Sequence, residues 1–245
     1  MKILVCISHV PDTTTKITFN QNNTEFNTTD VQFIINPYDE IALAKSVELT
    51  EGGKGSITVI NVGEVDTEPT LRKALAIGAD AAIRINAKPL DSFFVAQQIA
   101  TYAKENNYDL ILTGRESIDY NGVKIAAMLG ELLNIPSVSI AKKLEIEGNN
   151  ATIEREIEGG KEIITAILPL VVGTAEGVAE PKIPNMRGIM SARTKPLTVL
   201  NAVDVTPTSR IIHFEAPAPR GQVKLIPTDS ISTLIELLHS ESKVI

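Results

Sequence analysis

Through its first two-thirds the chain alternates short apolar runs with segments of helical spacing, and this alternation constrains the fold most. The runs "KILVCIS", "VQFII", "SITVINVG", "AAIRIN" and "DLILTG" read as buried strands. Between them, "YDEIALAKSVELTEGG" places apolar residues at Ile41, Ala44 and Val47 and stops at Gly52-Gly53. "TEPTLRKALAIGA" opens on Thr67 as an N-cap, has Pro69 in its first turn and ends at Gly78. "DSFFVAQQIATYAKENN", with Asp91 as its cap, and "NGVKIAAMLGELLN" complete the helices. The pattern predicts an α/β fold with a mostly parallel, doubly wound, Rossmann-like sheet. Ligands of such sheets sit at the carboxyl ends of the strands. Those ends are Ser8–Asp12, Asn61–Gly63 and Thr113–Asn121.

The period then changes. "KLEIEG", "ATIEREI" and "EIITAIL" alternate apolar with polar residues and are split by Gly-Asn-Asn and Gly-Gly, which predicts an antiparallel meander. "AEPKIPNMRGIMSARTKPL" follows, with prolines at 181, 184 and 196, and the tail "TDSISTLIELLHSESKVI" reads as a short amphipathic helix. The expected division is an α/β nucleotide-binding domain over 1–176, meander included. Residues 177–245 are expected to form a docking loop and a C-terminal arm that packs on a partner. The alternative for that arm is an ordinary surface meander.

Composition removes several function classes. A chain of 245 residues with 43% hydrophobic content can bury one large core. A net charge of −7 argues against non-specific nucleic-acid binding. Cys6 is the one cysteine, so no internal disulfide forms, and His9, His213 and His239 lack ligand spacing. "MKILVCISHV" reads as a first strand and not as a signal peptide. No apolar run approaches the ~20 residues of a membrane span, so a cytoplasmic protein is expected. There is no Gly-x-Gly-x-x-Gly after a strand, no Walker loop, no Gly-x-Ser-x-Gly and no His-Glu-x-x-His. The carboxylates of "EREIEGGKE" read as a solvated hairpin face, and His9 as a loop contact more than a base. Tyr38 and Tyr120, near strand ends, could flank a base. An adenylating ligase is disfavoured because no catalytic cluster is present. The residues by themselves give an α/β domain with a nucleotide pocket and a partner arm.

Several stretches together resemble the beta subunit of electron transfer flavoproteins. They are "NPYDEIALAKSVEL", "TLRKALAIGADAAIRI", "IEREIEGGKEIITAILPLVVG" and "EPKIPNMRGIMSARTKP", which run from the first strand to the tail. The resemblance implies a heterodimer with an alpha subunit that carries most of the FAD site. It implies a non-catalytic chain that buries AMP structurally, or a second FAD in bifurcating members. Electrons would pass from acyl-CoA dehydrogenases to a quinone oxidoreductase. The alternative is an adenine-nucleotide-binding regulator without a redox role.

Carried over residue by residue, the resemblance lines the nucleotide pocket with Cys6, Asn36, Pro37, Tyr38, Asp39, Val62 and Gly63. The loop of Asp119, Tyr120, Asn121, Gly122, Val123, Lys124, Ile125 and Ala126 closes it. That family's commoner loop reads Asp-x-Asp-Thr-Gly-Gln-x-Gly. Here Val123 and Ala126 stand for its glycines and Lys124 for its glutamine, so the phosphate grip is expected to differ. Ser8 stands where a lysine is common. The docking loop would present Met186, at a position the family fills with leucine, with Arg187, Ile189, Met190 and Arg193. Glu162, after the Gly-Gly turn, would touch the alpha subunit.

Overall fold

The computed structural model describes residues 1–245. β1 (Lys2–Cys6) runs through the middle of the molecule, with Ile3, Leu4 and Val5 all fully buried. The pleat sends Ile3 and Val5 to one face, and Leu4 and Cys6 to the other. Burial on both faces is worth ~1.5–3 kcal/mol per large aliphatic side chain, which explains a run without alternation.

β2 (His9–Pro11) follows, then the two-residue strands β3 (Phe19–Asn20) and β4 (Glu25–Phe26), then β5 (Phe33–Ile35). The "VQFII" run therefore forms a strand outside the main sheet, where β5 pairs antiparallel with β2. α1 (Pro37–Thr50) leads to β6 (Ser56–Val62), α2 (Glu68–Ile77) to β7 (Ala81–Asn86), and α3 (Ser92–Asn106) to β8 (Leu110–Gly114). α4 (Ile125–Leu133) precedes the meander β9 (Ser137–Glu147), β10 (Asn150–Ile157) and β11 (Gly160–Ile167). β12 (Leu170–Thr174), α5 (Met186–Ala192), β13 (Leu197–Asn201) and α6 (Ile231–Ser240) complete the chain.

The main sheet has the order β11-β10-β9-β12-β8-β1-β6-β7-β13. Every pairing from β9 to β13 is parallel, and β10 and β11 extend the same sheet antiparallel. α1 and α2 pack on the face of Ile3 and Val5, and α3 and α4 on the other. The sheet is doubly wound, and the meander grows from its edge. Residues 197–201, read from the sequence as part of the arm, instead form an edge strand on β7.

Two helix starts differ from expectation. Thr67 stands at the N-cap of α2 but its hydroxyl donates to Glu64 O at 2.8 Å, so it closes the preceding turn and caps nothing. α4 begins at Ile125 and leaves 121–124 in the loop. Asp91 does cap α3, accepting from Phe94 N at 2.7 Å. No helix is long and apolar enough to cross a membrane.

Candidate functional site

From β1 the chain moves to β6 and β7 on one side and returns to β8 and β12 on the other. The switch point therefore lies between β1 and β8, at their carboxyl ends, where doubly wound sheets open a crevice. Along this edge, from β12 to β7, four neighbouring strand pairs are each tied by a buried polar side chain. Thr174 Oγ1 donates to Thr113 O at 3.0 Å, joining β12 to β8. Asp39 accepts from Ser8 N at 2.7 Å and from Gly114 N at 2.8 Å, joining the tails of β1 and β8. Asn61 Nδ2 donates to Ile7 O at 2.8 Å, joining β6 to β1. Arg84 Nη1 donates to Gly63 O at 3.1 Å, joining β7 to β6. Each of the four is at most 5% exposed, so these bonds form away from competing water.

Asp39 is a buried ionisable group at this strand edge. Burial raises its pKa to about 6, against the opposing hydrogen bonds from Ser8, Asn36 and Gly114. Burial also pushes the Cys6 thiol up, and the charge of Asp39 pushes it further, so Cys6 stays a neutral wall residue. Asn36 Nδ2 donates to Glu116 O at 2.8 Å, and its Oδ1 accepts from Ile118 N at 3.3 Å. Asn36 and Asp39 thus spend their polar atoms inside the chain, and their effect on the crevice is to shape it. Pro37 opens α1. Tyr38 lies under Arg115, whose guanidinium is 5.4 Å from the ring centroid. Val62 is buried in the core beside Cys6. Gly63 donates to Ile85 O at 3.0 Å, and a side chain there would run into Asn61 and Thr67.

The loop after β8 is folded on itself. Ser117 N donates to Gly122 O at 3.2 Å, and the Ser117 hydroxyl bonds the Asp119 carboxylate. Asn121 sits at φ 53°, a left-handed conformation that asparagine tolerates. The Tyr120 ring covers Gly122, where no Cβ would fit, and its hydroxyl reaches Ser92 Oγ at 3.1 Å. Val123 and Lys124 are exposed and Ile125 is half-buried. The Lys124 ammonium has no ion pair or hydrogen bond with the chain, its carbonyl accepts from Met128 N at 3.0 Å, and no side chain caps α4. The first backbone N–H groups of α4 are therefore free donors beside a free cation, which fits a phosphate. Ala126 is 4% exposed, and its methyl packs toward Gly173 of β12. Its Cβ consequently faces the sheet, and the approach to the helix end stays open.

His9 points to the far side of this edge. Its Nδ1 is 2.7 Å from Thr70 Oγ1, and its ring stacks on Phe33 at 4.3 Å. Burial lowers its pKa, with Asp66 opposing. It is a structural contact between β2 and α2.

The second cluster of expected residues lies on α5. Asn185 caps this helix through Gly188 N at 2.8 Å. Gly188 meets the backbone of Ala76 too closely for any side chain, so α5 lies directly on the end of α2. Arg72 Nη1 donates to Ala192 O and Lys195 O, each at 2.8 Å, and Lys195 Nζ donates to Ala79 O at 2.6 Å. The outer side carries Met186 at 73%, Ile189 at 41% and Met190 at 58% exposure, with Arg187 and Arg193 exposed beside them. Glu162 pairs across the meander with Arg155, whose Nε lies 3.0 Å from its carboxylate.

Sequence reasoning named Asn61 only as a strand end and missed Arg84 and Thr174. The signal was present: each is a polar residue at or near the end of an otherwise apolar run, in "VINVG", "AIRIN" and "LVVGT".

The profile of the electron transfer flavoprotein domain matches residues 24–205. The chain is 36% identical to the "Electron transfer flavoprotein subunit beta" of Bacillus subtilis, over 259 aligned residues and the whole of both chains. It is 29% identical to the protein of that name from Bradyrhizobium diazoefficiens, again over the whole of both. It is 30% identical to "Electron transfer flavoprotein subunit beta, mitochondrial" of Oryza sativa subsp. indica, with the same full coverage. With a mostly parallel sheet, its switch point between β1 and β8 and this likeness from end to end, the chain belongs to the electron transfer flavoprotein family, as a beta subunit.

Proposed function

We propose that this chain pairs with an electron transfer flavoprotein alpha subunit and holds an adenine nucleotide, AMP, in the crevice between β1 and β8. The redox FAD, carried mainly by the alpha subunit, supplies the electron chemistry. The chain has no catalysis of its own. It relays electrons within a complex that accepts them from acyl-CoA dehydrogenases and passes them to a quinone oxidoreductase, in the cytoplasm.

The observation that carries the nucleotide reading is the free Lys124 beside the uncapped start of α4, at the switch point. The walls around it are short or backbone groups, as a flat base and one phosphate require. Met186, Ile189 and Met190 with Arg187 and Arg193 are assigned to docking of the dehydrogenase, Glu162 to the alpha subunit, and residues from 202 onward to the arm that lies on it. Apolar residues are exposed on both α5 and α6, consistent with surfaces that a partner covers.

The test is purification of the chain alone and with its alpha subunit, followed by heat release and mass identification of the ligands. AMP and FAD in equal amounts on the complex, and a colourless chain alone, are expected. Stoichiometric FAD on the chain alone overturns the AMP assignment and favours a bifurcating type. Nucleotide without flavin on the complex favours a regulator without a redox role.

A further inference from the structure

We propose that Arg84 is a positioning residue of the nucleotide site, acting through Gly63; this rests on the nucleotide reading above. Arg84 is a cation on β7, one strand in from the edge strand β13, and only 5% exposed. An apolar residue would fill that place at less desolvation cost. The parallel pairing of β6 with β7 runs through backbone atoms from Thr58 and Ala81 to Val62 and Ile85, so it does not require the guanidinium.

The guanidinium instead serves the turn just beyond the pairing. Nη1 donates to Gly63 O at 3.1 Å and to Asn86 Oδ1 at 2.7 Å, and Nη2 lies 3.4 Å from Glu68 Oε1. Gly63 N–H is taken by Ile85 O at 3.0 Å. Both backbone groups of Gly63 are thus fixed to β7, and a Cβ there is barred by Asn61 and Thr67. Asn61 lies directly across from Arg84 in the register, so the two side chains share a face of the sheet. Asn61 ties the other side of β6 to Ile7 O. The two clasps hold the end of β6 from both sides, and Gly63 is itself buried there. Asn61 Oδ1 and Arg84 Nε are buried without partners, an acceptor and a donor left over once these clasps are made. A backbone held in one conformation before binding lowers the ordering cost of a ligand laid against it.

The experiment uses the chain co-purified with its alpha subunit and stripped of nucleotide, with AMP as the probe in equilibrium dialysis. Binding is measured well below every melting temperature. Arg84→Gln is expected to weaken AMP binding about tenfold. Arg84→Lys, which keeps the charge and can reach Gly63 O, is expected to stay within about threefold of wild type. Lysine rescue separates positioning from loss of fold. A second measurement uses wild type only: AMP should slow hydrogen exchange in peptides covering 61–68. If Arg84→Gln does not fold, this exchange decides the matter. AMP affinity unchanged in Arg84→Gln, failure of lysine to rescue, or no protection at 61–68 overturns the role of Arg84. A wild type that binds no AMP overturns the nucleotide reading as well.

Discussion

Gln98 holds both backbone groups of Val203: its Nε2 donates to Val203 O and its Oε1 accepts from Val203 N, each at 2.8 Å. The side chain of Gln98 thereby imitates a neighbouring strand at the root of the arm, and it is 2% exposed. Five residues on, Asp91 Oδ2 accepts from Thr208 and Ser209 through both backbone N–H groups and both hydroxyls. Burial works against that charge, and the bonds from Phe94, Ser209 and Thr208 outweigh it, bringing the Asp91 pKa down to about 2. α3 is thus the seat of the arm's first residues.

The first prediction concerns that seat. Gln98→Leu removes both bonds to Val203, which is itself exposed, so each lost bond costs ~0.5–1.5 kcal/mol. Trypsin cleavage after Arg210 should then speed up several-fold in Gln98→Leu and in Asp91→Ala. Cleavage at the wild-type rate in both would mean that the arm is held elsewhere.

The second concerns pH. The Asp39 pKa is raised from 3.8 to about 6 by burial, so the folded chain binds this proton more tightly than the unfolded chain. Its contribution to stability is therefore full below the unfolded value and is lost as pH rises through about 6. The shift of about two units corresponds to on the order of 3 kcal/mol. The stability advantage of wild type over Asp39→Asn should shrink by up to that amount from about pH 4 to about pH 7, in denaturant melts of the isolated chain. A constant difference would show that Asp39 titrates at its ordinary value.

How much of this was legible in the sequence depended on which forces set each element. The double winding of β1, β6, β7 and β8 was plain, because strands buried on both faces must be apolar throughout. The cap at Asp91 was plain for a local reason, since its bond to Phe94 N lies three residues away. β5 was read as a strand but not placed, because three apolar residues pair with β2 as readily as with the sheet. β13 was missed because its exposed edge position leaves Thr198 and Val199 in solvent, without a strong apolar pattern. The polar residues at the strand ends stand out in the sequence, but the clasps they make do not, because Asn61 and Ile7, or Arg84 and Gly63, meet only through tertiary contact. The Asn-Pro-Tyr-Asp-Glu motif marks Asp39, while its work of joining Ser8 to Gly114 depends on segments far apart in sequence.

The third prediction separates Lys124 from the other lysines. Lys142 lies 3.3 Å from Glu156 and Lys143 lies 2.7 Å from Glu145, whereas Lys124 pairs with no acid. Lys124→Ala should weaken AMP binding roughly ten- to a hundredfold, the worth of a charge-assisted contact of ~1.5–3 kcal/mol. Lys142→Ala and Lys143→Ala should leave it unchanged. Equal affinity in all three variants would remove the phosphate role from Lys124.

The last prediction separates docking from folding on α5. Met186 is 73% exposed, so its truncation removes little buried area and should shift the melt by less than about a degree. An unbranched thioether suits a surface that must fit several partners. Pro181 and Pro184 stiffen the approach, and Arg187 and Arg193 can steer an acidic rim. Met186→Ala should therefore slow electron transfer from an acyl-CoA dehydrogenase, read as steady-state rate against complex concentration, while flavin content stays the same. Gly188→Ala is the contrasting variant. Its methyl would strike the carbonyl of Ala76, so α5 must lift from α2, and both the melt and the transfer rate should fall. A lowered melt in Met186→Ala, or an unchanged rate, would take Met186 out of the docking surface.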